Sequence, residues 1–149
     1  MTNNQQSTIN HLFVFCDGGA RGNPGPAAVG LVVKDSRGKI LVQKGEYIGK
    51  TTNNVAEYKA VITALEWLIK NASIVQLSNC PIVNFFLDSK LAVNQLNGLF
   101  KIKNKNLQNL VITIKKLEKK LSLSPVYRHV SREENFLADS LVNKVLNKA

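Results

Sequence analysis

The hydrophobic pattern of this chain changes from a strand period to a helix period after about residue 50, and this change limits the possible folds. Three β-rich segments come first, at residues 11–17, 27–34 and 39–49, and turn residues separate them. Apolar side chains then recur at helical spacing up to about residue 71. This pattern predicts an antiparallel meander of three strands, followed by a long helix.

Strands and helices alternate in the remainder of the chain. The pattern predicts a buried strand at 81–87, a short helix at 89–96, a basic helix at 106–121 and a last strand at 125–130. A final helix is predicted at 133–146, and its inner face is predicted to carry Leu137, Leu141, Val142 and Val145. The order β-β-β-α-β-α-α-β-α describes an α/β fold in which helices cover a mixed sheet.

The charge balance points to a polyanionic partner. The 149 residues are enough for one domain with its own core, and they carry a net charge of +10. Seven lysines and one acid, Glu118, fall between residues 101 and 120. Such a surface most often binds nucleic acid, although a solvated helix face that only aids solubility is the alternative.

The composition is not that of a secreted or membrane protein. The first ten residues are polar and uncharged, so we expect a disordered tail at 1–10 before a single domain at 11–149. No apolar run approaches the roughly 20 residues that cross a membrane. The two cysteines, Cys16 and Cys80, lack the spacing of a disulfide scaffold or metal motif. We therefore expect a cytoplasmic monomer that does not bind membranes.

Two carboxylates directly follow predicted strands. Asp17 ends the first strand and Asp88 ends the fourth, at the carboxyl ends where α/β sheets bind ligands. An unpaired buried charge costs several kcal/mol, so each needs arginine, backbone N–H groups or a metal ion nearby. Two further acids lie on predicted helices: Glu57 in a first turn, and Asp139 four residues after Asn135 on the same helix face.

These four acids would form a site whose donors are all oxygen. Such a set selects Mg²⁺ or Mn²⁺ over Zn²⁺, and two ions about 4 Å apart stabilise both reacting oxygens in phosphodiester cleavage. Each acid also has a structural alternative. Asp17 could cap the glycine-rich loop, and Asp88 could cap the next helix. Glu57 could face the helix dipole, and Asp139 could be a plain surface acid. The spacing alone does not show that the four converge.

Four segments resemble the motifs of type 1 ribonucleases H, and they occur in the family's order. They are residues 15–27, 51–57, 87–89 and 129–139, and the resemblance covers the chain from about residue 13 to its end. It implies the ribonuclease H fold. That fold is a five-stranded mixed sheet of order 3-2-1-4-5, with the first three strands antiparallel and helices on both faces.

The resemblance also implies an activity and a cofactor. The activity is hydrolysis of the RNA strand of RNA–DNA hybrids, which leaves 5′-phosphate and 3′-hydroxyl ends. The cofactor is a pair of Mg²⁺ ions, or Mn²⁺ in their place, with Asp17 in contact with both ions and a ligand set of Asp17, Glu57, Asp88 and Asp139. His129 matches the family's mobile histidine, which assists proton transfer or product release.

The loops around these acids match the family's substrate contacts. Asn23, Asn53 and Asn54 match positions that read the 2′-hydroxyl, the group that distinguishes RNA from DNA. Thr52 matches a position that grips a phosphate of the DNA strand, although helix capping is the alternative for residues 52–54. The implied substrate-binding residues are Gly18, Ala20, Asn23, Thr52, Asn53, Asn54, Arg132 and Asn135.

Two segments depart from the family pattern. Some relatives carry an extra basic helix with tryptophans after the third motif, whereas this chain has only residues 100–105 and the basic helix behind them. The single tryptophan, Trp67, is expected to pack, so hybrid binding should be weaker and more salt-dependent. The histidine loop lacks glycine, so we expect His129 to be held and Arg132 to bind the scissile phosphate.

Two other functions stay open at this level. The fold could serve as a non-catalytic nucleic-acid-binding module, but a pure binder gains nothing from acids beside phosphates. It could also belong to another nuclease of the same superfold, which the Asn53-Asn54 pair and the loop at 22–25 disfavour. Double-stranded RNA is cleaved in the family at large, and the sequence does not decide that substrate.

Overall fold

A computed structural model describes residues 8–149 as five strands and four helices. The first half of the chain forms β1 (Ile9–Ala20), β2 (Gly25–Asp35), β3 (Ile40–Thr51) and α1 (Asn53–Asn71). The second half forms β4 (Leu77–Leu87), α2 (Lys90–Leu96), α3 (Lys105–Lys120), β5 (Ser124–His129) and α4 (Phe136–Lys148). The predicted order of elements is confirmed.

The five strands form one mixed sheet in the order β3-β2-β1-β4-β5. β1 pairs antiparallel with β2, and β2 pairs antiparallel with β3. β4 lies parallel to β1 on its other side, and β5 lies parallel to β4. This is the expected ribonuclease H topology, and it makes β1 the central strand.

The two faces of the sheet carry different layers because side chains alternate along each strand. Leu12, Val14 and Cys16 of β1 are fully buried against α1 in the main core, whereas Phe13 and Phe15 are half-buried on the opposite face. The second face holds α4, which buries Val142 and Leu146 in a smaller cluster with Ala28 of β2. Helices therefore cover both faces, as predicted.

Two glycines let α4 approach the sheet closely. A Cβ atom on Gly30 would lie 2.3 Å from the Ala138 carbonyl oxygen, and one on Gly45 would lie 2.8 Å from that of Leu141. Gly30 is also the residue that pairs with Asp17 across β1 and β2. The close approach therefore holds the start of α4 directly over the strand position of Asp17.

Several predicted boundaries were wrong. Ile9 and Asn10 belong to β1 and not to the predicted tail, whose residues 1–7 lie outside the described part of the chain. α4 begins at Phe136 instead of 133, because Ser131 and Glu134 form a capping turn before it. Leu137 is 40% exposed, so its predicted place on the inner face was also wrong. Among residues 8–149, no helix is long and apolar enough to cross a membrane.

Candidate active site

The parallel pairing of β1 and β4 brings two of the predicted acids to the same edge of the sheet. Phe15 of β1 pairs with Phe86 of β4, and Asp17 and Asp88 each lie two residues beyond that pair. β1 continues to Ala20 along β2, so Asp17 lies beyond the pairing with β4 but does not end the strand, and the prediction that it does was wrong. The two carboxylates therefore flank one cleft.

Glu57 reaches this cleft because α1 packs against a glycine. A Cβ atom on Gly18 would lie 2.1 Å from the Ala56 carbonyl oxygen and 2.7 Å from the Glu57 nitrogen. Glu57 is the fifth residue of α1 and lies beyond its first turn, so the prediction of a first-turn position was wrong. The Glu57 carboxylate is hydrogen bonded to the Ser89 side chain, which also caps α2 by accepting from the Ala92 N–H at 3.1 Å.

Asp139 completes the set from α4. Its carboxyl group is hydrogen bonded to that of Asp17, and the Asn143 amide donates to Asp139 Oδ2 at 3.3 Å. Together these side chains line an open cleft of about 290 Å³, whose lining also includes backbone of β1: Asp17, Gly18, Gly19, Ala20, Arg21, Asn53, Glu57, Asp88, Arg132, Asp139, Val142, Asn143 and Leu146. The structure thus brings all four predicted acids together.

Repulsion among these acids makes the site unfavourable for negative charge. Burial raises the pKa of Asp17 to about 8, and the neighbouring charges of Asp88, Asp139 and Glu57 add to the shift. Burial likewise raises the pKa of Glu57 to about 7, although the Ser89 hydrogen bond and the Arg132 charge act in the opposite direction. A bound divalent cation would relieve both effects.

The donor set fits Mg²⁺ in its chemistry. In residues 8–149, no group of three His, Cys, Asp or Glu side chains stands ready to chelate a single metal ion. Mg²⁺ does not need such a group, because it keeps several waters and is usually bound through one or two carboxylates. Four repelling carboxylates around one cleft provide that arrangement, with Asp17 in electrostatic contact with the other three.

Two asparagines beside the cleft, Asn23 and Asn53, form a hydrogen-bonded bracket between β1 and α1. The Ala20 N–H donates to Asn53 Oδ1 at 2.8 Å, and the Asn53 N–H donates to Asn23 Oδ1 at 3.0 Å. Each amide oxygen therefore accepts one hydrogen bond within the protein, which orients the side chain, and the N–H groups of both amides can donate to a ligand. Thr52 caps α1 by accepting from the Val55 N–H at 3.3 Å, and Asn54 is exposed beside it.

The loop after β5 is fixed by a capping box. Glu134 accepts from the Ser131 N–H at 3.1 Å, and Ser131 Oγ accepts from the Glu134 N–H at 3.1 Å. The Val130 N–H donates to the Leu87 carbonyl at 2.9 Å and ties the same loop to β4. Arg132 lines the cleft, whereas His129 is exposed at the end of β5 outside the cleft lining. The loop is held, as expected from its lack of glycine.

Asn135, which was predicted to bind substrate, lies inside the protein. Its side chain is fully buried, and its Nδ2 donates to the Cys16 carbonyl at 2.8 Å and to Asp88 Oδ2 at 3.4 Å. Sequence reasoning also missed the roles of Ser89 and Asn143. The signals were present, since Ser89 follows Asp88 directly and Asn143 lies one helical turn after Asp139.

Comparisons with known proteins agree with the observed fold. The family described as reverse transcriptase-like matches residues 15–145. A ribonuclease HI of Halobacterium salinarum is 36% identical over 93% of this chain, which spans 65% of that protein. A bifunctional protein of Mycobacterium tuberculosis is 35% identical over 93% of this chain. The chain spans only 36% of the length of the first curated relatives that it matches.

Several solved structures of ribonuclease H1 proteins align with this chain over nearly their own full length. A ribonuclease H1 isolated from compost is 40% identical with a TM-score of 0.81, and 94% of this chain and 98% of that chain are covered. The halobacterial ribonuclease H1 is 34% identical with a TM-score of 0.84, with 93% and 99% covered. The compost protein has also been solved with an RNA/DNA hybrid, at 39% identity and a TM-score of 0.82, with 92% and 97% covered. The chain therefore belongs to the reverse transcriptase-like family and, within it, to the type 1 ribonucleases H.

Proposed function

We propose that the protein is an endoribonuclease that hydrolyses the RNA strand of RNA–DNA hybrids and leaves 5′-phosphate and 3′-hydroxyl ends. The observation that carries the proposal is the convergence of Asp17, Glu57, Asp88 and Asp139 in one open cleft. A related ribonuclease H1 that matches this chain closely was solved in complex with an RNA/DNA hybrid.

The four carboxylates would hold two Mg²⁺ ions, with Mn²⁺ as a substitute. Asp17 is the proposed shared ligand, because it interacts with each of the other three acids. Two bound divalent ions would supply the positive charge that stabilises the attacking water and the departing oxygen. Ser89 hydrogen bonds to Glu57 and Asn143 hydrogen bonds to Asp139, and these contacts would orient two of the proposed ligands.

The bracket of asparagines would read the RNA strand. With their oxygens engaged by backbone N–H groups, Asn23 and Asn53 present amide donors, and Asn54 is exposed next to them. Donors of this kind suit the 2′-hydroxyl and the acceptors of a minor groove. Thr52 and the first N–H groups of α1 would bind a phosphate of the DNA strand, because helix N-termini favour anions. Gly18 and Ala20 would contribute backbone contacts along the cleft.

Arg132 would bind the scissile phosphate from its place in the cleft, and His129 would assist proton transfer or product release.

The net charge of +10 would attract the hybrid, and we propose double-stranded RNA as a second substrate. We further propose that the protein is a cytoplasmic monomer whose two cysteines, Cys16 and Cys80, remain free thiols.

The test is a cleavage assay with labelled substrates. Wild-type protein in Mg²⁺, and separately in Mn²⁺, should cut only the RNA strand of the hybrid and leave duplex DNA intact. Asp17→Asn should abolish cleavage, whereas Glu66→Gln, which alters an exposed acid of α1 away from the cleft, should not. Hybrid binding without cleavage in either metal would contradict the proposal and would identify a binding module.

A further inference from the structure

Asn135 lies where the elements that carry three of the four acids meet. It has no exposed surface, although it immediately precedes α4 and its neighbours Glu134 and Phe136 are exposed. A fully buried asparagine at the edge of a charged cleft needs hydrogen-bond partners among protein atoms or buried water. Its partners therefore indicate what it does.

One amide group connects two of these elements. Asn135 Nδ2 donates to the Cys16 carbonyl at 2.8 Å, which fixes the backbone of β1 immediately before Asp17. The same nitrogen donates to Asp88 Oδ2 at 3.4 Å, beyond the end of β4.

The backbone of Asn135 adds the third element. Its carbonyl accepts from the Asp139 N–H at 3.1 Å in the first turn of α4. Its own N–H donates to the Ser131 carbonyl at 3.0 Å, so the capping turn supports it from the other side. Asn135 thus hydrogen bonds to the backbone just before Asp17, to the Asp88 carboxylate and to the backbone N–H of Asp139.

The orientation of this amide has no alternative. If the amide group were rotated by 180°, Oδ1 would face the Cys16 carbonyl oxygen and Asp88 Oδ2. Three acceptor oxygens would then lie together with no hydrogen between them to form a hydrogen bond. As the side chain stands, Oδ1 is the atom without a protein partner among the described residues. Asn135 also lines a cavity of about 50 Å³ below α4, which has room for a water molecule to bind a buried acceptor.

An amide suits this position better than a cation would. Lysine or arginine would neutralise Asp88 and compete with a metal ion for the cleft. The neutral Nδ2 group instead donates a hydrogen bond to Asp88 and leaves the negative charge available. Groups that hydrogen bond to metal ligands typically change metal affinity or activity about 10–100-fold when they are removed.

We propose that Asn135 is a positioning residue that sets the spacing of Asp17, Asp88 and Asp139 and thereby the affinity of the cleft for divalent metal ions. This inference rests on the proposed metal-dependent function. It replaces the substrate contact predicted for Asn135, and it assigns the residue no contact with the hybrid.

Asn84 offers a matched control on the same sheet. It is also a buried asparagine, and its Nδ2 donates to the Leu12 carbonyl at 3.2 Å, so it ties β4 to β1 as Asn135 ties its loop to β1. Its hydrogen bond involves no carboxylate. Asn135→Leu and Asn84→Leu should both lower thermal stability, because each removes a buried hydrogen bond to a carbonyl of β1.

The experiment measures metal affinity without substrate, from the rise in the thermal unfolding midpoint as Mg²⁺ or Mn²⁺ is added. Asn135→Leu should weaken metal binding about tenfold or more and raise the Mg²⁺ concentration for half-maximal cleavage equally. Its KM for the hybrid at saturating Mg²⁺ should stay within about twofold of wild type, since Asn135 does not reach the substrate. Asn84→Leu should keep wild-type metal affinity.

Metal affinity in Asn135→Leu equal to that of wild type would overturn the inference and leave a purely structural role. Should Asn135→Leu fail to fold, Asn135→Ser keeps one donor with a smaller change in shape, and it too should bind metal more weakly than Asn84→Leu. A raised KM with unchanged metal affinity would instead restore the substrate contact. Failure of the wild-type protein itself to bind metal or cut hybrid would contradict the proposed function, which is a distinct result.

Discussion

A Cβ atom on Gly18 would stand 2.1 Å from the carbonyl oxygen of Ala56, so β1 and α1 touch at a point where only glycine fits. Ala56 directly precedes Glu57, and Gly18 directly follows Asp17. The contact therefore fixes how closely two of the four carboxylates approach each other. Gly18 therefore lets α1 pack against β1 beside the site, in addition to any role in letting substrate approach the backbone.

Gly18→Ala should push α1 away from β1 and lower both stability and activity. Overpacking of this kind costs about 1–3 kcal/mol, and displacement of Glu57 should reduce kcat more than KM. Urea unfolding and steady-state kinetics would measure the two effects. Gly38→Ala is the control, because a Cβ atom there meets nothing within 4 Å and only the positive φ of 84° is strained. Full activity in Gly18→Ala would contradict the packing argument.

Asp17→Asn should stabilise the metal-free protein while it removes activity. The substitution removes the half-buried acid that is repelled by the other three, and we expect a gain of about 1–2 kcal/mol, or roughly 5 °C in Tm. Thermal unfolding in EDTA at pH 8 would measure it. Excess Mg²⁺ should raise the Tm of wild type more than that of the variant. A lower Tm for Asp17→Asn in EDTA would show that this acid stabilises the fold.

Stability of the metal-free protein should fall as the pH rises from 5 to 8. The pKa of Asp17 is raised to about 8 and that of Glu57 to about 7, so the native state holds protons that the unfolded state has already lost. Because the unfolded state binds fewer protons, the free energy of unfolding decreases with pH across this window. Urea unfolding in EDTA at pH 5, 6.5 and 8 would test it. The decrease should be smaller in Asp17→Asn, and stability that rises with pH would contradict the assignment.

Arg132→Ala should reduce kcat/KM for the hybrid by about 10–100-fold, the value of a hydrogen bond to a charged phosphate. Glu134→Gln should give a smaller loss, since it weakens only the capping box that holds the Arg132 loop. Arg128→Ala is the matched control, because Arg128 is exposed on β5 and lies outside the cleft lining. Equal losses of kcat/KM in the Arg132 and Arg128 variants would indicate that only the net positive charge matters. In that case both losses should shrink at higher salt, because salt screens the charges.

The sequence predicted the order and type of every element, because each follows from local periodicity. It missed boundaries wherever contacts between elements decided them. β1 extends to Ala20 because it pairs with Ala27 of β2, and α4 starts late because Ser131 and Glu134 cap one another first. β4 begins at Leu77, before the predicted position, because Leu77 pairs with Ile9, and a register shift separates this pair from the pair of His11 and Ile82.

The identity of the candidate ligands was also readable from the sequence, since motif residues are local features of the chain. Their convergence was not, because it depends on glycine contacts at Gly18 and Gly30 between elements far apart in the chain. The place of Asn135 was likewise decided by tertiary structure alone. Burial is a property of the packed elements around a residue, and only the folded chain shows that Asn135 donates to the Cys16 carbonyl and to the Asp88 carboxylate.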